Sequence, residues 1–237
     1  MLRNDYIIFG GVDTRKFQVG IFGDQLAEAP ERDIKKLSVP GKNGDVVIDN
    51  GRYKNIRVKY KAYIIDKYNA NIRGLRNAFL AKRGYQKLED TVNPNEYRLA
   101  MALPFEPEEY GVLRAAEFEL EFDCKPQRFL KSGEQTITLT AESSIYNAYE
   151  ERALPLIRAY GTGTFTIGGV SVQITSANSY TDIDCETMEA YKDTMATNCN
   201  GNIVLTNGVF PYLDPGINSV SMTGITQLDI VPRWWIL

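Results

Sequence analysis

Apolar and polar positions alternate in short runs along most of this chain. Tyr6-Ile7-Ile8-Phe9 ahead of Gly10-Gly11 predicts a strand and a turn, and Phe17, Val19 and Ile21 predict a second strand. Residues 24–36 are charged, contain Pro30 and read as a loop. Ser38 to Gly44 is dense in turn residues. Val46 and Ile48, then Ile56, Val58, Tyr60, Ala62 and Ile64, alternate with polar neighbours. Asp49-Asn50-Gly51-Arg52 lies between those runs and predicts a hairpin turn joining them. Arg57, Lys59 and Lys61 share the polar face of the second run.

One segment keeps a helical period. Tyr68, Ile72, Leu75 and Phe79 recur at i, i+4, i+7 and i+11, which predicts an amphipathic helix over about residues 68–83. Asn69 or Asn71 is available to cap its start, and Gly84 follows its basic end. Strands are predicted over Tyr97–Leu103 and Ala116–Asp123. In the latter, Phe118, Leu120 and Phe122 face a core, while Glu117, Glu119, Glu121 and Asp123 face outward.

After residue 132 the runs shorten and Gly, Asn and Pro turns multiply. Gln135–Thr140, Leu154–Tyr160, Tyr180–Asp184, Ile203–Leu205, Val220–Met222 and Gln227–Val231 read as strands. Thr164–Ile167, Gly168-Gly169 and Val170–Ile174 form a hairpin pattern. Glu186 to Lys192 is the one stretch with a helical turn in prospect. The pattern is that of a β-sandwich. The chain is therefore expected to be mainly β, with one domain over 1–131 that carries the helix and a sandwich over 132–237. Its final residues, Ile230 to Leu237, are too apolar to fray in water. They are expected to form the closing strand, with Trp234 and Trp235 as aromatic anchors.

Composition makes the same division. Two threonines and one serine precede residue 132; 14 threonines and eight serines follow from there. Residues 1–131 hold 23 Lys+Arg against 19 Asp+Glu, and residues 132–237 hold 4 against 11, which sums to the net charge of −3. That balance is not the strongly basic one of a nucleic-acid binder. The chain has no histidine, which removes Ser-His-Asp and Cys-His catalysis and imidazole ligation. Three cysteines without CxxC spacing support neither a disulfide framework nor a zinc site. No apolar run reaches a membrane-spanning length, and the first residues do not read as a signal peptide. Synthesis in a cytosol is the expectation.

Candidate chemistry is sparse. No phosphate-loop glycine pattern opens a helix. Asp182, Asp184 and Glu186 lack the glycine and terminal glutamate of a calcium loop. The carboxylates of Glu117, Glu119, Glu121 and Asp123 imply no cleft on their own, so a glycosidase pair is disfavoured. No catalytic residue, metal or cofactor is assigned.

Several segments taken together resemble the distal tail protein (Dit) family of long-tailed, non-contractile bacteriophages. They are Pro40-Gly-Lys-Asn-Gly-Asp45 with Val46–Asp49, Gly51–Ile56, Cys124-Lys-Pro-Gln-Arg-Phe129, Pro155–Gly163, Pro211–Ser219 and Val231-Pro-Arg-Trp-Trp235. Their order and spacing span nearly the whole chain. The resemblance implies a first domain that assembles into a hexameric ring and a galectin-like or carbohydrate-module-like sandwich on its periphery. It implies a hub at the tail tip of the virion, assembled in the host cytoplasm. The hub would join the tail tube protein to the tail-associated fibre or lysin protein, and DNA would meet it only in passage. The stretch after residue 132 is too short to hold the inserted sugar-binding module that some members carry. On that footing Glu117, Glu119, Glu121 and Asp123 are candidates for a lumen or a polar interface. Arg57, Lys59 and Lys61 are candidates for an inter-subunit basic face. The alternative is a carbohydrate-binding module recognising cell-surface glycans.

Overall fold

The computed structural model describes residues 5–23, 29–64, 68–106, 108–110 and 115–237. The chain forms two compact units, one of residues 1–128 together with Leu237 and one of Phe129–Ile236. The architecture is mainly β, with one α-helix among the described residues.

In the first unit the sheet runs Val12–Asp13, Ile7–Phe9, Gln86–Asp90, Glu96–Ala102, Ala115–Leu130, Ile56–Ile64, Val19–Ile21. Its centre is the antiparallel pair of Ile56–Ile64 with residues 116–124, in register from Ala116 opposite Ile64 to Cys124 opposite Ile56. Period-2 alternation sends Val58, Tyr60, Ala62, Phe118, Leu120 and Phe122 to one face, all buried. The helix, Tyr68–Leu80, closes that face with Ile72, Leu75 and Phe79. Phe9, Phe79 and Phe122 meet with ring centroids 5.1–6.1 Å apart in tilted pairs, the favourable geometry for aromatic quadrupoles. Tyr60 is buried among them, and its hydroxyl donates to Asp90 Oδ2 at 2.9 Å, which meets the need of an enclosed phenol.

Three local expectations need correction here. Residues 24–28 of the expected loop lie outside the described residues, but Arg32–Leu37 is a strand. Its partner is Val46–Tyr53, so these two strands form a separate hairpin. The Asp49–Arg52 signal therefore does not connect Val46 to Ile56. Gly51 has φ +70, and its N–H is accepted by Asp49 Oδ1 at 2.8 Å. The glycine serves a register shift inside the strand, a bulge that uses the same left-handed backbone as a turn. At the helix start, Asn69 and Asn71 lie inside the helix and not at its cap. The residues just before Tyr68 lie outside the described residues.

The second unit is built on two long antiparallel strands, Leu156–Ile167 and Gly216–Val231. Their register shifts around Gly161–Thr164. On one side of the shift, Leu156–Tyr160 also pairs with Tyr180–Asp184, and Leu228–Ile230 pairs with Ile137–Leu139. On the other, Gly163–Ile167 pairs with Val170–Ile174, and Gly216–Val220 pairs with Ser143–Asn147. Ile157 and Ile183 from the first half share one core with Phe165, Val172 and Val220 from the second. The sheet thus curls over at the glycines and encloses its own core. Gly161-Thr162-Gly163, which looks like a break between strands, is the bend within one. Glu186–Lys192 is not helical: Glu189–Lys192 is a strand paired with Tyr180–Asp184.

Candidate functional site

The acidic and basic clusters named from the sequence occupy one sheet face. Register places Glu117 opposite Tyr63, Glu119 opposite Lys61, Glu121 opposite Lys59 and Asp123 opposite Arg57. Lys59 Nζ lies 2.6 Å from Glu121 Oε1 and 3.4 Å from Glu119 Oε2, and Arg57 Nη1 lies 3.7 Å from Glu121 Oε2. Glu121 first, then Glu119, raises the Lys59 ammonium above its ordinary value. Asp123 accepts from Asn55 Nδ2 at 3.1 Å. The residues named from the sequence are four carboxylates and three cations. The ion pairs of this face join Lys59 and Arg57 to Glu119 and Glu121, and at its other end Glu117 stands in register with Glu108.

A groove of about 490 Å³ adjoins that face, which the alternation alone did not imply. Its lining combines Phe22, Pro104, Phe105 and Phe118 with Glu106, Glu117, Glu119, Glu121 and Lys61. Phe105 and Phe118 stack with centroids 5.6 Å apart, and Arg76 donates to the Phe105 carbonyl from the helix at 3.2 Å.

The Arg32–Leu37/Val46–Tyr53 hairpin has no sheet neighbour among the described residues. Cross-strand ion pairs hold its base: Arg32 to Asp49 at 3.3 Å, Arg52 to Asp33 at 2.7 Å and Lys54 to Glu31 at 3.2 Å. Nearer the tip, Leu37, Val39, Val47 and Ile48 are exposed.

In the second unit Trp234 is 8% exposed and packs against Tyr149 at 6.2 Å. Trp235 is only half-buried, and its indole N–H donates to the Arg152 carbonyl at 2.9 Å. The two tryptophans therefore differ, one filling the core and one bonding at its edge. Asp182 and Asp184 are buried, and each faces an arginine. Arg158 donates to Asp182 at 2.6 and 3.0 Å, and Arg233 donates to Asp184 at 2.7 and 2.9 Å. Burial alone would raise the Asp184 carboxyl, but Arg233 and the amides of Thr187 and Glu186 hold it below the usual carboxylate range. The Asp182/Asp184/Glu186 pattern is thus arginine-paired, and no cluster of metal-ligating side chains forms among the described residues. Cys124 and Cys185 are buried free thiols, and burial pushes Cys124 up to about 12. Sequence reasoning missed the free hairpin because Pro30 and the charge run masked the Arg32–Leu37 alternation. It missed Arg158 and Arg233 because their partners lie 24 and 49 residues away.

No protein-family model and no curated protein matches this chain in sequence. Solved structures do match its fold. The Dit protein of phage SPP1, described as a paradigm of the hub adsorption apparatus in phages infecting Gram-positive bacteria, has a TM-score of 0.72 at 13% identity. That match covers 99% of this chain and 100% of the SPP1 protein. A chain of the phage P2 baseplate in its activated, calcium-bound conformation has a TM-score of 0.54 at 11% identity, over 95% of this chain and 97% of its own. The strontium-bound baseplate gives 0.52 at 11% identity, over 95% and 96%.

Proposed function

We propose that this chain is a structural hub protein of a phage tail tip. In this reading it assembles as a hexameric ring between the tail tube protein and the tail-associated fibre or lysin protein. The observation that carries the reading is the end-to-end fold match with the SPP1 hub protein, which includes both units and leaves almost no residue of either chain unmatched. A virion location follows from the same reading, with assembly in the host cytoplasm.

The free hairpin supports self-assembly. A two-stranded ribbon is marginally stable alone in water, and this one also exposes four aliphatic side chains. A neighbouring copy would cover them. The polar, partly ion-paired face suits a lumen wall or a polar subunit contact. Phosphate adheres to clustered cations that shed counterions. Here Lys59 is already engaged by two glutamates, and Arg57 faces one. DNA in passage would find little to hold it.

The test is mass in solution. Light scattering of the protein with tail tube protein should give a six-copy species. Replacing Leu37, Val47 and Ile48 by Ser should leave a folded monomer. A wild-type chain that stays monomeric with tube protein present, at high concentration, refutes the ring.

One observation keeps a glycan-binding reading in play. Tyr146 and Ile217 stand opposite each other, 67% and 78% exposed, on the outer face of the second unit. A glycan array that shows binding lost in Tyr146→Ala would favour it.

A further inference from the structure

The last residues of the second unit return to the point where that unit begins. Arg233 N–H donates to the Gly133 carbonyl at 2.9 Å, and Leu130 N–H donates to the Trp234 carbonyl at 2.9 Å. Gly133 has no room for a side chain. A Cβ there would fall inside contact distance of the Trp234 backbone nitrogen and 3.1 Å from the Arg233 carbonyl carbon. The segment is held from the other side by the paired hydrogen bonds of the Arg233 guanidinium to buried Asp184.

The same segment is separable from the sheet that precedes it. The long strand ends at Val231. Pro232 has no N–H to continue the ladder, and Arg233 takes a left-handed φ of +56, so the chain changes direction there. Opening the segment breaks these backbone and guanidinium hydrogen bonds, the Trp235 indole bond to the Arg152 carbonyl and the pairing of Trp235–Ile236 with the end of the Ala115–Leu130 strand, and it lifts Trp234, but leaves the ladder to Leu156–Ile167 intact.

We infer that Arg233–Trp235 is a strap that closes over the Leu130–Gly133 turn and fixes where the packed structure of the second unit begins. Closed, it makes Phe129 the first anchored residue. Open, it frees residues 129–134 from the packed part of the second unit. Asp184 is the catch, and Gly133 is the seat.

Hydrogen exchange on the full chain tests this. In Asp184→Asn, which removes the charge of the catch, the Leu130 and Arg233 amides should exchange faster together, by on the order of tenfold. Gly133→Ala, which blocks the seat, should do the same. In added denaturant the Leu130 and Arg233 amides should show a shallower dependence of exchange than amides of the Ile157–Ile230 ladder, as a segment that opens apart from the rest of the unit must. Trypsin should cut after Lys131 sooner in both, while the wild-type chain resists. Unchanged Leu130 and Arg233 amides would overturn the strap. So would Leu130 and Arg233 amides with the same denaturant dependence as the ladder, because the segment would then open only with the whole unit.

Discussion

Gly163→Ala is the sharpest test of the curled sheet in the second unit. Gly163 sits at the register shift with φ +149, a backbone state that side chains rarely adopt. An added Cβ would fall inside contact of the Thr223 carbonyl oxygen and 2.7 Å from the Gly224 Cα, both backbone atoms of the paired strand. Two costs combine. The strained backbone contributes about 1–3 kcal/mol. Forcing two paired strands apart contributes about 1–3 kcal/mol more. The sum, about 2–6 kcal/mol, is a large share of the 5–15 kcal/mol typical of a whole domain. Gly169 is the control: its φ is +87, but a Cβ there meets nothing within 4 Å. Gly169→Ala should lose only the conformational part, about 1 kcal/mol. Urea unfolding followed by a near-ultraviolet signal of the second unit's tryptophans reads both. Equal losses in the two variants would show that the close approach of the strands at the bend is not what Gly163 serves.

Trp234→Ala should destabilise the second unit by about 3–5 kcal/mol, and Trp235→Ala by clearly less, because only Trp234 is buried in the core; calorimetry of the two variants checks the order. Phe122→Ala should cost about 3–5 kcal/mol in the first unit, since it removes the ring that Phe9, Tyr60 and Phe79 all meet. Lys59→Met should leave the melting temperature of the isolated chain unchanged, because its ion pairs lie at an exposed surface. Asp184 has a depressed folded value, so its contribution is present above the unfolded carboxylate value near 4 and is lost as pH falls through the folded one. An acid titration of stability should therefore be shallower below about pH 4 in Asp184→Asn than in wild type.

What could be seen in the sequence follows from the range of the interactions. The helix was visible because Ile72, Leu75 and Phe79 repeat within three turns. The strand of Phe118, Leu120 and Phe122 was visible because alternation is local. The common face of the acidic and basic clusters was half visible. Each cluster's sidedness is a local fact, but the opposition of Glu121 to Lys59 depends on a register set across more than sixty residues. Asn50-Gly51 misled because a bulge and a hairpin turn ask for the same left-handed glycine. Gly161–Gly163 misled for a related reason, since a bend in a continuing strand carries the same residues as a break. The groove beside Glu117 could not be read at all, because Phe22 and Phe105 reach it from distant parts of the chain.

The central claim is that this chain forms the ring at a tail tip, and cryo-electron microscopy of the protein mixed with the tail tube protein tests it most directly. The account predicts six-fold rings capping one end of the tubes, with the Arg32–Tyr53 hairpin of each copy lying on its neighbour. Uncapped tubes among free single copies, or rings whose subunits meet without that hairpin, would contradict it.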